Sequence, residues 1–322
     1  MVHLDPRDDP RTDPGAANAP REASVRASRE ATVADLLAAA DGPLYSFEFF
    51  PPRNEKEVGI LWRTVRELEA YQPDFISVTY GANGSTRERT IRATAEISAN
   101  TTLRTVAHLT CASQSVDQLR QVVGQYAAAG VRQMLAIRGD MPGGPTVPWE
   151  RHPQGLDNAT ELVSLIKELG NFCVGVAAFP DIHPEHKDPD LDADLLVAKA
   201  EAGADYAITQ LFFEAQNYFD LVDRVRSRGC DLPIIPGLMP VTTLRQIEIF
   251  ADLSGQPLPA SVVDRLTGVA PDDVRAEGIA IATELCEALL AGGAPGLHFF
   301  TQNRSKATRE IFANLHPSRD PA

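Results

Sequence analysis

From Leu44 to Phe300 the chain repeats one unit, which consists of a short apolar run, a polar loop and a stretch with helical periodicity. Apolar runs of this length, bounded by loops and helical patterns, predict buried parallel strands. Eight strands are predicted, at Leu44–Phe49, Phe75–Thr79, Thr105–Leu109, Met134–Ile137, Cys173–Ala178, Tyr206–Gln210, Pro233–Gly237 and Gly296–Phe300. Because strands and helices alternate at a spacing of about 30 residues, the fold class is α/β and the sheet can close as a (β/α)8 TIM barrel.

Helices are predicted between these strands from the spacing of apolar residues. Stripes of Val and Leu over 58–68, and of Val, Leu and Tyr over 116–126, follow the helical repeat. A short helix is predicted over Thr32–Ala40. Two extra helices, Leu258–Leu266 and Asp272–Leu290, are predicted before the last strand.

An open, doubly wound sheet is the competing architecture for the same alternation of strands and helices. That architecture often carries a nucleotide fingerprint, either GxGxxG or GxxxxGK[ST], directly after a strand. Neither pattern follows a predicted strand in this sequence. The TIM barrel is therefore the better prediction.

Composition divides the chain into a tail and one domain. Of the 322 residues, 43% are hydrophobic and 23% are charged, as in ordinary globular proteins. Residues 1–28 are rich in Asp, Pro, Arg and Ala and have almost no large apolar side chain. Such a segment cannot bury enough surface to offset the entropy lost on ordering, so a disordered N-terminal tail is predicted. Residues 29–318 are predicted to form a single TIM-barrel catalytic domain.

Charge and cysteine content exclude several classes of protein. A formal net charge of −14 disfavours binding to the phosphate backbone of nucleic acid. The four cysteines are far apart and form no CxxC pair, which disfavours a zinc site or a disulfide scaffold and fits a reducing compartment. No apolar run is long enough to span a membrane, and the N-terminus lacks the apolar core of a signal peptide. A cytoplasmic protein is predicted.

Glu48 lies in the stretch LYSFEFFPPR, between Phe47 and Phe49. Pro51 and Pro52 end this strand because proline has no amide hydrogen for the ladder. Side chains alternate in a strand, so Glu48 points away from the two aromatic rings, at the carboxyl end of the strand. Aromatic surroundings would raise the pKa of the carboxyl group, which suits a general acid. A plain glutamate on an edge strand is the alternative.

The carboxyl ends of the predicted strands carry a series of polar residues. In a TIM barrel these ends form the active-site face. The residues are Glu48, Thr79, His108, Arg138, Gly139, Asp140, His183, Gln210, Gln302 and Arg304. A polar rim is partly expected because the rim is wet, but a carboxylate, an imidazole and an arginine beside apolar strands indicate a ligand site.

Arg138, Gly139 and Asp140 follow the fourth predicted strand. An arginine beside a glycine lets the guanidinium and the backbone approach a phosphate together. Asp140 either accepts a hydrogen bond from a ligand or forms an ion pair with Arg138, and the sequence leaves both open.

Other charged and polar residues have less specific patterns. His183 and His186 form an HxxH spacing on a loop with prolines, for which hydrogen bonding or phosphate contact by His183 is favoured over a metal site. Asp192 and Lys199 are seven residues apart and share a helix face, which by itself indicates a solvated charged surface. Gln246 has the spacing of a capping partner for Thr243.

Eight long motifs occur together in one order along the chain. They are SFEFFPPR at 46–53, SVTYGANGSTRERT at 77–90, AHLTC at 107–111, AIRGDMP at 136–142, AAFPDIHPE at 177–185, AGADYAITQLFF at 202–213, PGLMPV at 236–241 and FFTQNR at 299–304. This set resembles the methylenetetrahydrofolate reductase family of the bacterial type, over about residues 44–315. Each motif is longer than a short regular expression, so chance agreement is implausible.

The resemblance implies a TIM barrel that binds FAD without a covalent bond. NADH, or alternatively NADPH, would reduce the flavin, and hydride from flavin N5 would then convert 5,10-methylenetetrahydrofolate to 5-methyltetrahydrofolate in a ping-pong reaction that feeds methionine biosynthesis. Glu48 would be the general acid that opens the five-membered ring of the folate. Asp140 would lie near the flavin pyrimidine and the pterin. The family also implies a homo-oligomer and a polyglutamylated folate substrate.

The same resemblance assigns binding residues by motif. The flavin positions are Thr79, His108, Arg138, Gly139, Asp140, Ala159, Phe179, His183, Asp192 and Lys199. The folate positions are Glu48, Gln210, Gln246, Phe250 and Arg304, with the ring of Phe250 over the bound substrate. Under this interpretation Asp192 and Lys199 contact the ribose and phosphates of the cofactor, and Arg304 pairs with the glutamate tail of folate.

Three positions depart from the bacterial pattern. Phe179 stands where a tyrosine is familiar, which removes one hydroxyl group near the flavin, and Asn158 and Phe300 also replace tyrosines. A variant that works without flavin is therefore one alternative. A proline-dehydrogenase-like barrel flavoenzyme and a catalytically silent folate- or flavin-binding protein are two others.

Overall fold

The computed structural model describes residues 31–80, 84–142, 147–183, 185, 187–254 and 257–315. Within these ranges nine strands pair in parallel in the order β7-β6-β5-β4-β3-β2-β1-β9-β8. The strands are β1 Leu44–Phe49, β2 Phe75–Val78, β3 Thr105–Thr110, β4 Gln133–Ile137, β5 Cys173–Ala178, β6 Tyr206–Thr209, β7 Ile234–Ile235, β8 Gly237–Leu238 and β9 Gly296–Phe300. The predicted α/β barrel is confirmed.

Eleven helices surround the strands in the part of the chain that the structure describes. They are α1 Val33–Ala39, α2 Glu55–Glu69, α3 Gly84–Asn100, α4 Val116–Ala128, α5 Ala159–Leu169, α6 Pro189–Glu201, α7 Ala215–Ser227, α8 Arg245–Ser254, α9 Ala260–Thr267, α10 Val274–Ala291 and α11 Lys306–Leu315. The predicted extra helices before the last strand are α9 and α10, and α8 precedes them. None of the helices within the described ranges has both the length and the apolar character that crossing a membrane requires.

The barrel closes through a strand that is interrupted at Pro236. The sequence predicts one strand over Pro233–Gly237, and this prediction is wrong in one respect, because two short strands flank the proline. β7 pairs with β6, whereas β8 pairs with β9. Pro236 has no amide hydrogen to donate, but its carbonyl oxygen accepts a hydrogen bond of 2.9 Å from the His298 amide. The chain therefore changes its strand partner at this residue.

Alternation along β1 separates two environments. The rings of Phe47 and Phe49 are fully buried in the main apolar core, which lies between the sheet and the helices. Ser46 and Glu48 alternate with these two residues along the strand and point to the other face, into the barrel. The strand thus buries its aromatic rings outside the barrel and presents a hydroxyl and a carboxyl group inside it.

An apolar cluster fills the barrel at the amino ends of the strands. It contains Phe75, Tyr206 and Ile235 from the strands and Val33 from α1. The Val33 amide donates a hydrogen bond of 2.7 Å to the side-chain oxygen of Gln133, which fixes α1 across this end. Burying one valine side chain contributes about 1.5–3 kcal/mol. This end of the barrel is closed, so the open end lies at the carboxyl ends of the strands.

The predicted tail, residues 1–28, lies outside the described residues, and so does His186. The first helix begins within two residues of its predicted boundaries. Its N-cap is Thr32, whose side chain accepts a hydrogen bond from the Asp35 amide. A capped start of this kind is a local signal, which is why the sequence locates it well.

Candidate active site

Glu48 lies at the centre of a buried polar network inside the barrel. The Glu48 residue is 6% exposed. The Thr79 hydroxyl donates a hydrogen bond of 2.9 Å to Oε1, and the Ser77 hydroxyl donates one of 3.4 Å to Oε2. The Nε2 atoms of His108 and His298 each lie 3.4 Å from Oε2. The carboxyl group is therefore surrounded by groups that can donate or share a proton.

The electrostatics of Glu48 differ from the prediction. Burial raises the pKa of the Glu48 carboxyl group, but His108, His298 and the Thr79 hydroxyl outweigh burial, so the pKa is lowered overall. The expected increase from aromatic surroundings is wrong because Phe47 and Phe49 face the outer core. With a lowered pKa, Glu48 is ionised at neutral pH in the unliganded protein.

The strand that carries Glu48 is held by the loop that follows β9. The Thr301 hydroxyl donates a hydrogen bond of 2.6 Å to the Glu48 carbonyl oxygen. The Asn303 carboxamide accepts from the Phe50 amide and donates to the Phe50 carbonyl, both at 2.9 Å. Gln302 and Asn303 have φ values of 51° and 56°, a left-handed conformation that non-glycine residues rarely adopt. Tertiary contacts therefore hold this loop against the end of β1.

Buried polar atoms without a partner mark the end of β3. Among the described residues, both ring nitrogens of His108 and the hydroxyl of Thr110 are buried and form no hydrogen bond. The distance from His108 Nε2 to Glu48 is short, but the atoms are not aligned for a hydrogen bond. Burial lowers the pKa of His108, which favours a neutral imidazole. Buried polar groups are usually satisfied, so these atoms indicate a site that a ligand completes.

Gly139 allows the loop after β4 to pack closely on β3. Its φ is +80°, a conformation that glycine adopts without steric cost. A Cβ atom at this position would lie 2.7 Å from the Thr110 Cβ. The backbone after β4 therefore approaches the unpartnered Thr110 hydroxyl more closely than any larger residue would permit.

Arg138 forms an ion pair with Glu185 rather than with Asp140. Its Nη1 atom lies 2.7 Å from Glu185 Oε2, and the guanidinium lies over the Trp149 ring at 4.9 Å. Asp140 is exposed. Of the two predictions left open for Asp140, pairing with Arg138 is therefore wrong, because Glu185 occupies the guanidinium.

The loop that leads into α5 contains Trp149, the residue whose ring lies against Arg138. The Trp149 indole donates a hydrogen bond of 2.9 Å to Asp157. Asn158 caps α5 by accepting from the Glu161 amide, and Ala159 is the first residue of that helix. Trp149 therefore connects Arg138 to the amino terminus of α5, where free amide groups favour anions.

Lys199 and Asp192 are not on a solvated face, so the simpler prediction for them is wrong. Asp192 is 7% exposed and accepts a hydrogen bond of 2.8 Å from the His183 amide. The Lys199 ammonium donates one of 2.9 Å to the Ala177 carbonyl oxygen. Burial lowers the pKa of Lys199 to about 8, with a further decrease from Arg138 that Asp192 opposes. The Phe179 ring contacts the His183 ring edge-on at 4.5 Å.

The residues assigned to folate differ in their hydrogen bonds and in their exposure. Gln210 follows β6, and its side-chain oxygen accepts from the Leu211 amide at 2.9 Å. The Gln246 side-chain oxygen accepts from the amides of Thr242 and Thr243, at 2.7 and 3.0 Å, as its capping role predicts. Arg304 is exposed after β9.

Phe250 lies on α8, and its ring is fully buried. The ring stacks on Phe213 at 6.2 Å, in an apolar cluster that also contains Leu211 and Val241. The assignment of this ring to a position over bound substrate stays a prediction.

Sequence comparisons assign the chain to a family. The sequence profile described as Methylenetetrahydrofolate reductase matches residues 33–316. The 5,10-methylenetetrahydrofolate reductase of Escherichia coli K12 is 37% identical over 292 residues, which cover 90% of this chain and 96% of that protein. The chain belongs to the methylenetetrahydrofolate reductase family. The enzyme of the same description from Pectobacterium carotovorum is 37% identical over 86% of this chain and 91% of its own length.

Solved structures agree with the barrel fold of this chain. One is described as an uncharacterized protein from Clostridium thermocellum that binds two copies of 5-methyl-5,6,7,8-tetrahydrofolic acid. It superposes with a TM-score of 0.61 over 89% of this chain and 99% of that chain. At 15% identity the similarity extends to the barrel alone.

Several contacts in the candidate active site were not predicted from the sequence. They involve Ser46, Ser77 and His298 around Glu48, and Trp149 and Glu185 around Arg138. His298 has a signal that could have been used, because it is the polar residue in GLHFF and alternates with Leu297 and Phe299. Alternation places its imidazole on the interior face, as it does for Glu48. Trp149 and Glu185 have no comparable signal, since they lie on irregular loops.

Proposed function

We propose that this protein reduces 5,10-methylenetetrahydrofolate to 5-methyltetrahydrofolate, with FAD as cofactor and NADH, or alternatively NADPH, as electron donor. The observation that carries the proposal is the buried Glu48 network at the open end of the barrel, beside a second region that carries Arg138, His183 and Lys199. The family supplies the reaction, and these two regions supply groups for a proton transfer and for an anionic cofactor.

The second region fits a flavin dinucleotide. Arg138 and Lys199 provide positive charge within a protein of net charge −14, and the end of α5 at Ala159 favours an anion. Gly139 permits close approach of the backbone, and His108 has ring nitrogens that form no hydrogen bond within the described residues. We assign Thr79, Phe179, His183 and Asp192 to the same cofactor. FAD would supply the transfer of hydride from the nicotinamide to the folate.

Glu48 is the group we assign to proton transfer. Reduction of the methylene folate by NAD(P)H consumes one proton in addition to hydride, and a buried carboxyl group can deliver it to a folate nitrogen. Its ionised resting state requires that a proton be taken up before transfer. The Thr79 hydroxyl holds the Glu48 carboxyl group, and the Thr301 hydroxyl holds the backbone carbonyl of Glu48. These two hydrogen bonds limit the positions from which Glu48 can release its proton.

The folate would lie on the other side of the barrel mouth. We assign Gln210 and Gln246 to hydrogen bonds with the substrate and Asp140, which is exposed, to a contact near the pterin and the flavin pyrimidine. Arg304 is exposed at the rim and can pair with the carboxylates of a polyglutamylated tail. We assign the Phe250 ring, which stacks on Phe213, to a position over the bound substrate.

We extend the proposal to the setting of the enzyme. Cys111, Cys173, Cys230 and Cys286 are free thiols, which agrees with a reducing cytoplasm. The product would feed methionine biosynthesis. We also propose that residues 29–318 form one catalytic domain, supported by the family match over 33–316, and that the enzyme is a homo-oligomer.

Product analysis tests this function. Purified protein, supplied with FAD, is incubated with NADH and methylenetetrahydrofolate, and 5-methyltetrahydrofolate is measured by mass spectrometry. One product molecule per NADH oxidised is expected. Product formation at an unchanged rate in protein stripped of flavin would contradict the role of FAD. Absence of product with both NADH and NADPH would contradict the function itself.

A further inference from the structure

His298 is a fully buried histidine directly below the Glu48 carboxyl group. Its Nδ1 atom lies 2.8 Å from the Ser46 hydroxyl, and its Nε2 atom lies 3.4 Å from Glu48 Oε2. The imidazole stacks on the Phe75 ring, with 5.9 Å between the centroids and 14° between the planes. Contacts at both nitrogens and on one face fix the ring, so Nε2 stays directed at Glu48.

Ser46 can satisfy His298 in either charge state. Its hydroxyl has two acceptors within reach, the Leu297 carbonyl oxygen at 3.3 Å and His298 Nδ1 at 2.8 Å. When Nδ1 carries a proton, Ser46 accepts from it and donates to Leu297. When Nδ1 is unprotonated, the hydroxyl turns and donates to Nδ1. The imidazole can therefore gain or lose a proton without leaving Nδ1 unsatisfied.

Ser77 connects the two titratable groups. Its hydroxyl lies 3.4 Å from Glu48 Oε2 and 3.5 Å from His298 Nε2. A hydroxyl can donate to one atom and accept from the other, so it bridges them in either direction. Two titratable groups face His298, which are Glu48 from β1 and His108 from β3. Because burial favours neutral His108, a proton on His298 meets one carboxylate and little opposing charge.

The proposed reduction of methylenetetrahydrofolate requires a proton at Glu48. Each turnover removes one proton from Glu48, a residue that is 6% exposed. A folate in the barrel mouth would cover the remaining opening. Below His298 the barrel is filled by the apolar cluster around Phe75 and Tyr206. A proton needed during turnover must therefore already be inside the site.

We propose that His298 is a positioning residue that stores this proton for Glu48. The inference rests on the proposed function. In the charged pair, the Nε2–H bond breaks and an Oε2–H bond forms, directly or through Ser77, so that imidazolium and carboxylate become a neutral pair. Glu48 then gives the proton to the folate nitrogen. After product leaves, a proton from solvent restores the imidazolium.

The first test is the pH profile of the folate step in a His298→Gln variant. Glutamine can keep a donor near Glu48, but it cannot carry an additional proton. We expect the folate step to slow about tenfold at neutral pH, below the contribution of a general acid itself. We also expect the rate to fall with rising pH from a lower pH than in the unsubstituted enzyme, because Glu48 must then take its proton from solvent. Flavin reduction by NADH should stay within about twofold.

A second variant and a direct titration distinguish the loss of a stored proton from misfolding of the His298→Gln variant. His298→Asn retains reach to Ser46 but not to Glu48, and should show the same altered profile. In the unsubstituted protein, isotope-edited NMR follows the Glu48 carboxyl carbon and the His298 ring nitrogens without any substrate. Shared titration is expected, so both signals should change over the same two pH ranges, since coupled sites titrate as a pair.

Two results would overturn the proposal. One is an unchanged pH profile in a folded His298→Gln enzyme, and the other is independent titration of the two groups in the unsubstituted protein. Failure of the proposed function is a separate result, because the unsubstituted protein would then make no 5-methyltetrahydrofolate, while the NMR titration would still decide whether His298 and Glu48 share a proton.

Discussion

The two regions of the barrel mouth satisfy their polar groups in different ways. Around Glu48, the partners include buried side chains on neighbouring strands, such as Ser77 and His298. Around Arg138, the partners lie on loops and at helix ends, and the pair with Glu185 is partly exposed at 28% and 44%. The first region is built into the sheet, whereas the second depends on segments that a ligand can rearrange.

This difference indicates that the two regions have different functional roles. Strand-borne groups keep their positions when a ligand binds, which suits a proton transfer that depends on short distances. In the second region Arg138 contacts a carboxylate and Lys199 a carbonyl oxygen, and phosphate oxygens could replace both partners. The region around Glu48 is therefore expected to control rate, and the region around Arg138 to control cofactor affinity.

The largest expected effect is that of Glu48→Gln, which changes the first region alone. Glutamine has nearly the same shape and can still accept the hydrogen bond from Thr79, but it cannot donate the required proton. We expect folate reduction to fall about 10²–10⁴-fold, with NADH-dependent flavin reduction retained. Stopped-flow measurement of the two half-reactions separates these outcomes. Unchanged folate reduction would remove Glu48 from the mechanism.

Arg138→Ala tests the second region. The loss of a charge-assisted hydrogen bond costs about 1.5–3 kcal/mol, so FAD should bind about 10–100-fold more weakly. Folate reduction by the fully loaded variant should change little. Arg120→Ala is the matched control, because Arg120 forms an exposed ion pair with Asp117 on α4. If Arg120→Ala weakens FAD binding as much as Arg138→Ala, the assignment of the second region is wrong.

The pH dependence of FAD affinity reports on Lys199. Burial lowers the pKa of Lys199 to about 8, so the ammonium loses its proton as the pH rises through that value. FAD affinity should therefore decrease above about pH 8, by up to about tenfold for one lost charged contact. Fluorescence titration of FAD at several pH values measures this. A Lys199→Met variant should bind more weakly and lack the decrease, and an equal decrease in that variant would exclude Lys199 as its source.

Glu185→Gln should have the smallest effect on FAD affinity, and it should increase that affinity. The carboxylate competes with an anionic ligand for Arg138, and a partly exposed ion pair contributes about 0–1 kcal/mol. FAD should bind about two- to fivefold more tightly in this variant. Equilibrium titration with FAD measures the change, and Asp117→Asn on α4 is the control. Weaker binding would mean that Glu185 itself contacts the cofactor.

Much of the barrel was predictable because its signals are local. Apolar runs, helical stripes and the Thr32 cap are each read within a few residues, and their boundaries agree with the structure closely. The break at Pro236 was missed although the proline was visible. Whether a proline interrupts a strand depends on the partners available on each side, which the local sequence does not contain.

The candidate site was predictable in its residue types but not in its contacts. Glu48 interacts with Ser77, Thr79 and His298, which are 29, 31 and 250 positions away in the chain. These pairings depend on the register between strands, and the register follows from the whole sheet. The direction of the Glu48 pKa was wrong for the same reason, because His108 and His298, which lower this pKa, come close to Glu48 only in the folded barrel.

The most direct test of the account is the visible absorption spectrum of the purified protein without oxygen. NADH is added first, followed by methylenetetrahydrofolate. We predict a flavin band that bleaches with NADH and returns with the folate. This result would demonstrate that bound flavin accepts electrons from NADH and passes them to the folate. A colourless protein that cannot be reconstituted with FAD, yet still oxidises NADH with this folate, would contradict the assignment of the second region to flavin.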